Sequence, residues 1–118
     1  MEVMTKDERF SRMYDIGCIC CRDNPGQLLK GFNPAQINHL NDKGSHKKSG
    51  GDMATIPLCP WHHQGYPVEG RVDSYMLEFF GPSLRKHKKA FVELYGTERQ
   101  LLEKVNKLLG ETWSQVTN

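Results

Sequence analysis

Nowhere in the 118 residues is there an uninterrupted hydrophobic run long enough to cross a bilayer, so no membrane association is expected. The opening stretch MEVMTKDERF mixes acids and bases and has no apolar segment of signal-peptide length, which points to a cytoplasmic protein. No internal repeat or low-complexity segment is present, which excludes solenoids and compositional linkers. There is too little chain for two cores: at 37% hydrophobic and 25% charged, the sequence supports one domain over residues 1–118. Net charge is low as well, at +2, and only its distribution is informative. Lys47 and Lys48 follow His46, with Lys43 just before, and Arg85, Lys86, Lys88 and Lys89 surround His87. Such runs are either solvated faces or tracks for a polyanion.

What is present divides into helical flanks and a turn-rich middle. Thr5 and Glu8 form a capping box, and Phe10, Met13 and Tyr14 recur at helical spacing before Gly17, which predicts a helix over 6–15. From Cys18 to Cys59 the composition shifts to Gly, Asn, Asp, Pro and Ser, with β-compatible pieces AQINHL and MATIPL joined by the polar loop NDKGSHKKSGGD. That pattern predicts a hairpin. VDSYMLEFF reads as a short helix stopped by Gly81-Pro82, and SLRKHKKAFVELY as another stopped by Gly96. Thr97 with Gln100 starts a final helix over 97–109, whose Leu101, Leu102, Val105, Leu108 and Leu109 form one apolar stripe suited to the core. The tail ETWSQVTN carries no strong signal.

The cysteines are few and closely spaced. In a reducing compartment four of them argue for thiolates rather than disulfides. Cys18 and Cys21 are a C-x-x-C pair, Cys59 and His62 a C-x-x-H pair, and two such knuckles can present four ligands to one tetrahedral zinc. Cys18 with Cys20 is the competing pair in the first knuckle, though its shorter spacing strains the loop. A thiol redox role for Cys18, Cys20 and Cys21 would leave Cys59 and His63 without a function. With His62 assigned to zinc, His63 points roughly 100° away around a helix axis and faces another surface. If the helix beginning at Pro60 crosses the hairpin, that surface is expected to be the one bearing His39.

Two strands, a crossing helix and a histidine on each resemble the β-β-α-metal unit of the HNH (His-Me finger) endonucleases. More narrowly, INHLNDKG, GGDMATIPLCPWHHQG, GPSLRKHKKAF and YGTERQLLEKV are similar to the phage recombination-enhancement nucleases of the Ref type, over about residues 17–109. The resemblance implies a small α+β domain, zinc-stapled around a core of about 17–95 and flanked by helices. It implies a phage- or prophage-encoded endonuclease that hydrolyses DNA phosphodiesters, with a host recombinase filament as a possible partner and no small-molecule cofactor. In that family the histidine matching His39 is the general base and the one matching His63 a ligand of a catalytic divalent ion, Mg2+ or Mn2+. Cys18, Cys21, Cys59 and His62 match the structural zinc ligands.

Two departures from the family pattern stand out. Members usually carry a histidine just before the base, where this chain has Asn38, whose amide oxygen can still ligate a hard ion; in a regular strand its side chain is expected to face away from that of His39, so a bend is needed to share an ion with His63. Members also often have histidines after GPSL, where this chain has Arg85 and Lys86 and only His87 remains as a further candidate ligand. Asn41 is a candidate to orient the base or the phosphate, and His46 is expected to be solvated. Lys43, Lys47, Lys48, Arg85, Lys86, Lys88 and Lys89 are the candidate phosphate contacts. The alternative reading is a catalytically weak or inactive zinc-containing DNA-binding module.

Overall fold

The structure is a computed structural model that describes the backbone of residues 4–23 and 35–117 and the side chains of residues 4–22 and 35–110. The stretch 24–34 of the turn-rich middle therefore lies outside the described residues.

Helix α1 spans Lys6–Ile16, opened by the reciprocal Thr5–Glu8 capping box and closed at Gly17. Its buried face carries Arg9, Met13 and Ile16. A short helix not foreseen from the loop-like composition, α2 (Ile19–Asp23), follows at once and turns Cys20 and Cys21 inward. The hairpin forms as expected from β1 (Gln36–His39) and β2 (Thr55–Leu58), antiparallel, with Asn38 opposite Ile56 and His39 opposite Thr55. A single 3-10 turn at Gly51–Met53 leads into β2, and its entry at Gly50 has φ 119°, where an added Cβ would also lie 2.6 Å from that of Ala54. All four residues of β2 are buried because α1, α2, α3 and α6 pack around it.

Helix α3 (Pro60–Gln64) is one turn and a little more, started by Cys59 with proline at its first position and ended by left-handed Gly65. Helix α4 covers Asp73–Phe80. The next helix is shorter than the sequence pattern predicts: α5 runs only over Lys88–Tyr95, and residues 84–86 form a turn. Ser83 is the cause. Its Oγ accepts the Lys86 amide at 3.1 Å, its own amide donates to His87 Nδ1 at 3.1 Å, and its carbonyl accepts the His87 amide at 2.9 Å. A serine that folds its side chain back on the backbone offers a turn that competes with the helix. Helix α6 has the opposite history. It begins after the Thr97–Gln100 capping box as expected but spans Glu98–Thr117, past residue 109. Gly110 in a helix interior costs only about 1 kcal/mol against alanine, which is too little to end it.

The core gathers Met13, Ile19, Leu40, Ile56, Leu58, Trp61, Met76, Phe91, Val105 and Leu109 around β2, and the expected α6 stripe is part of it. Arg9 is buried among them with no carboxylate partner among the described residues. Its Nε donates to Thr55 Oγ1 at 2.8 Å, its Nη2 to the Thr55 carbonyl at 2.6 Å and its Nη1 to Asn106 Oδ1 at 2.8 Å. One guanidinium thus joins α1, β2 and α6. Among the described residues no helix is long and apolar enough to cross a membrane.

Candidate metal and active site

Cys18, Cys21, Cys59 and His62 converge, all four buried, with their ligand atoms within 4.8 Å of one another. The first knuckle lies at the α1–α2 corner and the second where β2 enters α3, so local turns aim each pair before tertiary packing joins them. His62 Nδ1 is 3.5 Å from Cys18 Sγ, 3.4 Å from Cys21 Sγ and 3.2 Å from Cys59 Sγ, and the Cys21 and Cys59 sulfurs are 3.7 Å apart. A tetrahedron with Zn–S of about 2.3 Å and Zn–N of about 2.0 Å has edges of about 3.7 Å between sulfurs and about 3.5 Å from sulfur to nitrogen. These four distances lie within about 0.3 Å of those edges.

The surroundings are also those of a zinc ligand set. The other ring nitrogen of His62, Nε2, donates to the Phe80 carbonyl at 2.8 Å, and the Tyr95 hydroxyl donates to the same oxygen at 2.9 Å. That turns Nδ1 toward the sulfurs, where its lone pair is available to an ion once the ring is neutral. Burial pushes the Cys18 thiol up, but hydrogen bonds from Cys20, Cys21, Cys59 and His62 outweigh it and hold the group well below its usual value. Burial pushes the His62 imidazole down, while Cys18 and Cys59 outweigh that and hold it at about 10. Both shifts favour a positive charge at the centre of the cluster, and a divalent ion is such a charge. Cys20 is buried nearby, but it is the Cys21 sulfur that converges with those of Cys18 and Cys59 and with His62, so Cys21 completes the set.

His63 lies on the same turn of helix and faces elsewhere. It is half-buried, and its Nδ1 donates to Gln36 Oε1 at 2.9 Å, which leaves Nε2 with a lone pair. Burial lowers its pKa and Arg85 adds to that, against an opposing pull from Glu98, so the ring is held neutral, the form that binds metals. Gln36 and Asn38 alternate with Ile37 and His39 along β1, so Asn38 shares the face that meets His63 without any bend in the strand. Asn38 Nδ2 donates to Glu98 Oε1 at 3.0 Å.

His39 is on the other face of β1. Its Nε2 is 2.9 Å from Asp52 Oδ1, its ring stacks on His46 at 5.3 Å, and the Phe10 edge meets it at 6.2 Å. His46, expected to be solvated, is exposed but sits against this ring. His63 therefore meets the Gln36 and Asn38 face of β1 and not, as expected, the face that bears His39. Asp52, Glu98 and Gln36 were missed in the sequence. GGD directly before a predicted strand was the one available hint of Asp52, and the first-turn position of Glu98 looked like helix capping alone.

One family model matches residues 4–110, and its description is recombination enhancement, RecA-dependent nuclease. The chain belongs to this family. No curated protein and no solved structure matches it. Membership makes the chain a nuclease of recombination and disfavours a purely binding role for the zinc module.

The nuclease displays its basic residues unevenly. Lys43, Lys47 and Lys48 are exposed on the β1–β2 loop, and Arg85, Lys88 and Lys89 around the start of α5. Lys86 differs from the expectation of an unencumbered cation. Its stem crosses Gly65, whose added Cβ would lie 2.6 Å from Lys86 Cδ, its Nζ sits 5.6 Å from the Trp61 ring centre, and Nζ pairs with Asp73 at 2.8 Å. His87 has Nδ1 occupied by the Ser83 amide and its ring against Trp61. Exposed Asn41 touches neither histidine by hydrogen bond; it lines a groove of about 800 Å3 with Lys43, Lys88, Val92, Glu98 and Arg99. Arg99 holds the loop to α6 through two bonds to Asp42, at 2.9 and 2.6 Å. A second concavity, on α1, is lined by Asp7, Glu8 and Asp15 with Arg12, a predominantly acidic surface that disfavours phosphate.

Proposed function

We propose that the chain is a metal-dependent DNA endonuclease of the β-β-α-metal (HNH) kind, acting with a recombinase filament, in which His39 is the general base. The observation that carries this reading is the His39–Asp52 hydrogen bond at the end of β1, one residue from the Asn38 face where His63 keeps a lone pair open. The carboxylate accepts Nε2–H and so sets the tautomer, which leaves His39 Nδ1 to take a proton. As water adds to phosphorus its proton passes to Nδ1, the bridging P–O bond breaks, and the leaving oxygen is protonated from solvent. A divalent ion held by His63 would neutralise the charge that develops on the phosphate. Asn38 is a further neutral oxygen donor on that face. Cys18, Cys21, Cys59 and His62 would hold a structural zinc that fixes α3 and hence the direction of His63.

The groove beside Glu98, which Lys43 and Lys88 help to line, is the proposed DNA path. Lys47, Lys48, Arg85 and Lys89 would extend it. Lys86 contributes less, being paired with Asp73.

The test is cleavage of plasmid and of single-stranded DNA by zinc-loaded protein, with Mg2+ or Mn2+, with and without a RecA filament, for the parent and His39→Ala. The reading expects cutting that requires the added ion and falls at least ~100-fold in the variant. A parent that cuts equally well after a chelator has removed every ion but the zinc would overturn the metal requirement, and a variant cutting at the parental rate would overturn the base.

A further inference from the structure

We propose that Glu98 is the carboxylate ligand which, together with His63 and Asn38, completes the divalent-metal site of the nuclease. This rests on the metal-dependent reading above and adds a residue to it from a different part of the chain.

The first support is the donor set. An imidazole and an amide are both neutral, and a hard ion such as Mg2+ or Mn2+ is ordinarily held by at least one carboxylate. The face of β1 that meets His63 offers none of its own: it consists of Gln36 and Asn38. Glu98 supplies one from α6, at contact distance, with Oε1 on the Asn38 amide at 3.0 Å. Among the described residues its other oxygen has no hydrogen-bond partner, so it is open to an ion.

The second support is where the carboxylate sits. Glu98 lines the groove whose walls carry Lys43 and Lys88. A bare negative charge in a groove meant for a phosphate chain repels its ligand, and Arg99, the nearest cation in sequence, is committed to Asp42 and to the Ser49 carbonyl. A cation between Glu98 and the phosphate reverses the sign of that interaction. Helix capping does not account for Glu98 either, because Thr97 and Gln100 already satisfy each other's amides at the start of α6.

The experiment is Mn2+ titration of the zinc-loaded full chain by calorimetry and by electron paramagnetic resonance, for the parent, Glu98→Gln and His63→Ala, with zinc content and melting temperature recorded for each. Glutamine keeps an Oε1 for the Asn38 amide and removes only the charge, so a residue that merely docks α6 on β1 would lose nothing. The expected result is one Mn2+ bound by the parent beyond the zinc and weakening of at least ~10-fold in both variants, with the fold intact. Weakening in His63→Ala with parental binding in Glu98→Gln would overturn the role of Glu98 and leave the metal-dependent reading standing. A parent that binds no Mn2+ would overturn both. Should Glu98→Gln fail to fold, Mn2+ broadening of side-chain resonances in the parent answers the same question: broadening at His63 and Glu98 together supports the assignment, and broadening at His63 alone overturns it.

Discussion

His39 and Asp52 meet with Nε2 2.9 Å from Oδ1, although one ends β1 and the other lies in the turn that precedes β2. Thr55, opposite His39 in the sheet, donates its hydroxyl to the Asp52 carbonyl at 2.9 Å and accepts from buried Arg9, so the carboxylate stands on a fixed backbone. Asp52→Ala is therefore expected to slow single-turnover cleavage by about 10- to 100-fold by freeing the tautomer and rotation of the ring. Because Asp52 is half-exposed, the melting temperature should hardly move. The pair acts as a unit, so His39→Ala with Asp52→Ala should be no slower than His39→Ala alone; a further loss in the double variant would mean that Asp52 works on something else.

Cys59→Ala removes a sulfur from a site whose four donors lie within 4.8 Å of one another. The parent is expected to carry about one zinc per chain, and the variant to lose it together with most of its cooperative unfolding transition, since the binding energy of a structural zinc is folding energy. Elemental analysis and circular dichroism decide this. Well-folded parent protein without zinc would refute it.

Replacing Arg85 and Lys88 together is expected to lower the slope of log affinity against log salt by about 2, at roughly 0.9 per phosphate contact on duplex DNA. Lys86→Ala should change it less than either, because its ammonium is already paired with Asp73. Filter binding from low to moderate salt separates the three, and an equal effect of Lys86 would mean that Asp73 releases it on binding.

Arg9→Met strips three hydrogen bonds from a buried network and leaves the Thr55 carbonyl and Asn106 to find other partners. Chemical denaturation should show a loss of about 2–4 kcal/mol. Arg9→Lys should recover little of it, since a single ammonium cannot reach three acceptors that a planar fork spans.

What could be read from the sequence was what neighbours in the chain decide among themselves. The Thr5–Glu8 and Thr97–Gln100 boxes, the two knuckles and the alternation of β1 each act within a few residues, and each is found where its spacing predicts. Ser83 marks the limit: SLRKHKKAF has helical composition, but a side-chain hydrogen bond to Lys86 and the His87 ring hold the first turn open. Asn38 shows a second limit. Its direction relative to His39 followed from alternation, but which face His63 occupied depended on where α3 crosses the strand, and the contact with Gln36 reverses the expectation of a bend. Asp52–His39, Asn38–Glu98 and Lys86–Asp73 span 13, 60 and 13 positions, and no local pattern encodes such meetings.

Helix α3 is five residues long, far too short to persist in water unaided. Its conformation is lent by partners that arrive at different times during synthesis: the thiols at 18 and 21 are made before it, and the Phe80 carbonyl and the Tyr95 hydroxyl after it. A chain emerging from the ribosome thus carries both histidines well before it carries the frame that aims them. On the proposed reading, the two histidines are not aimed until the last of those partners has docked.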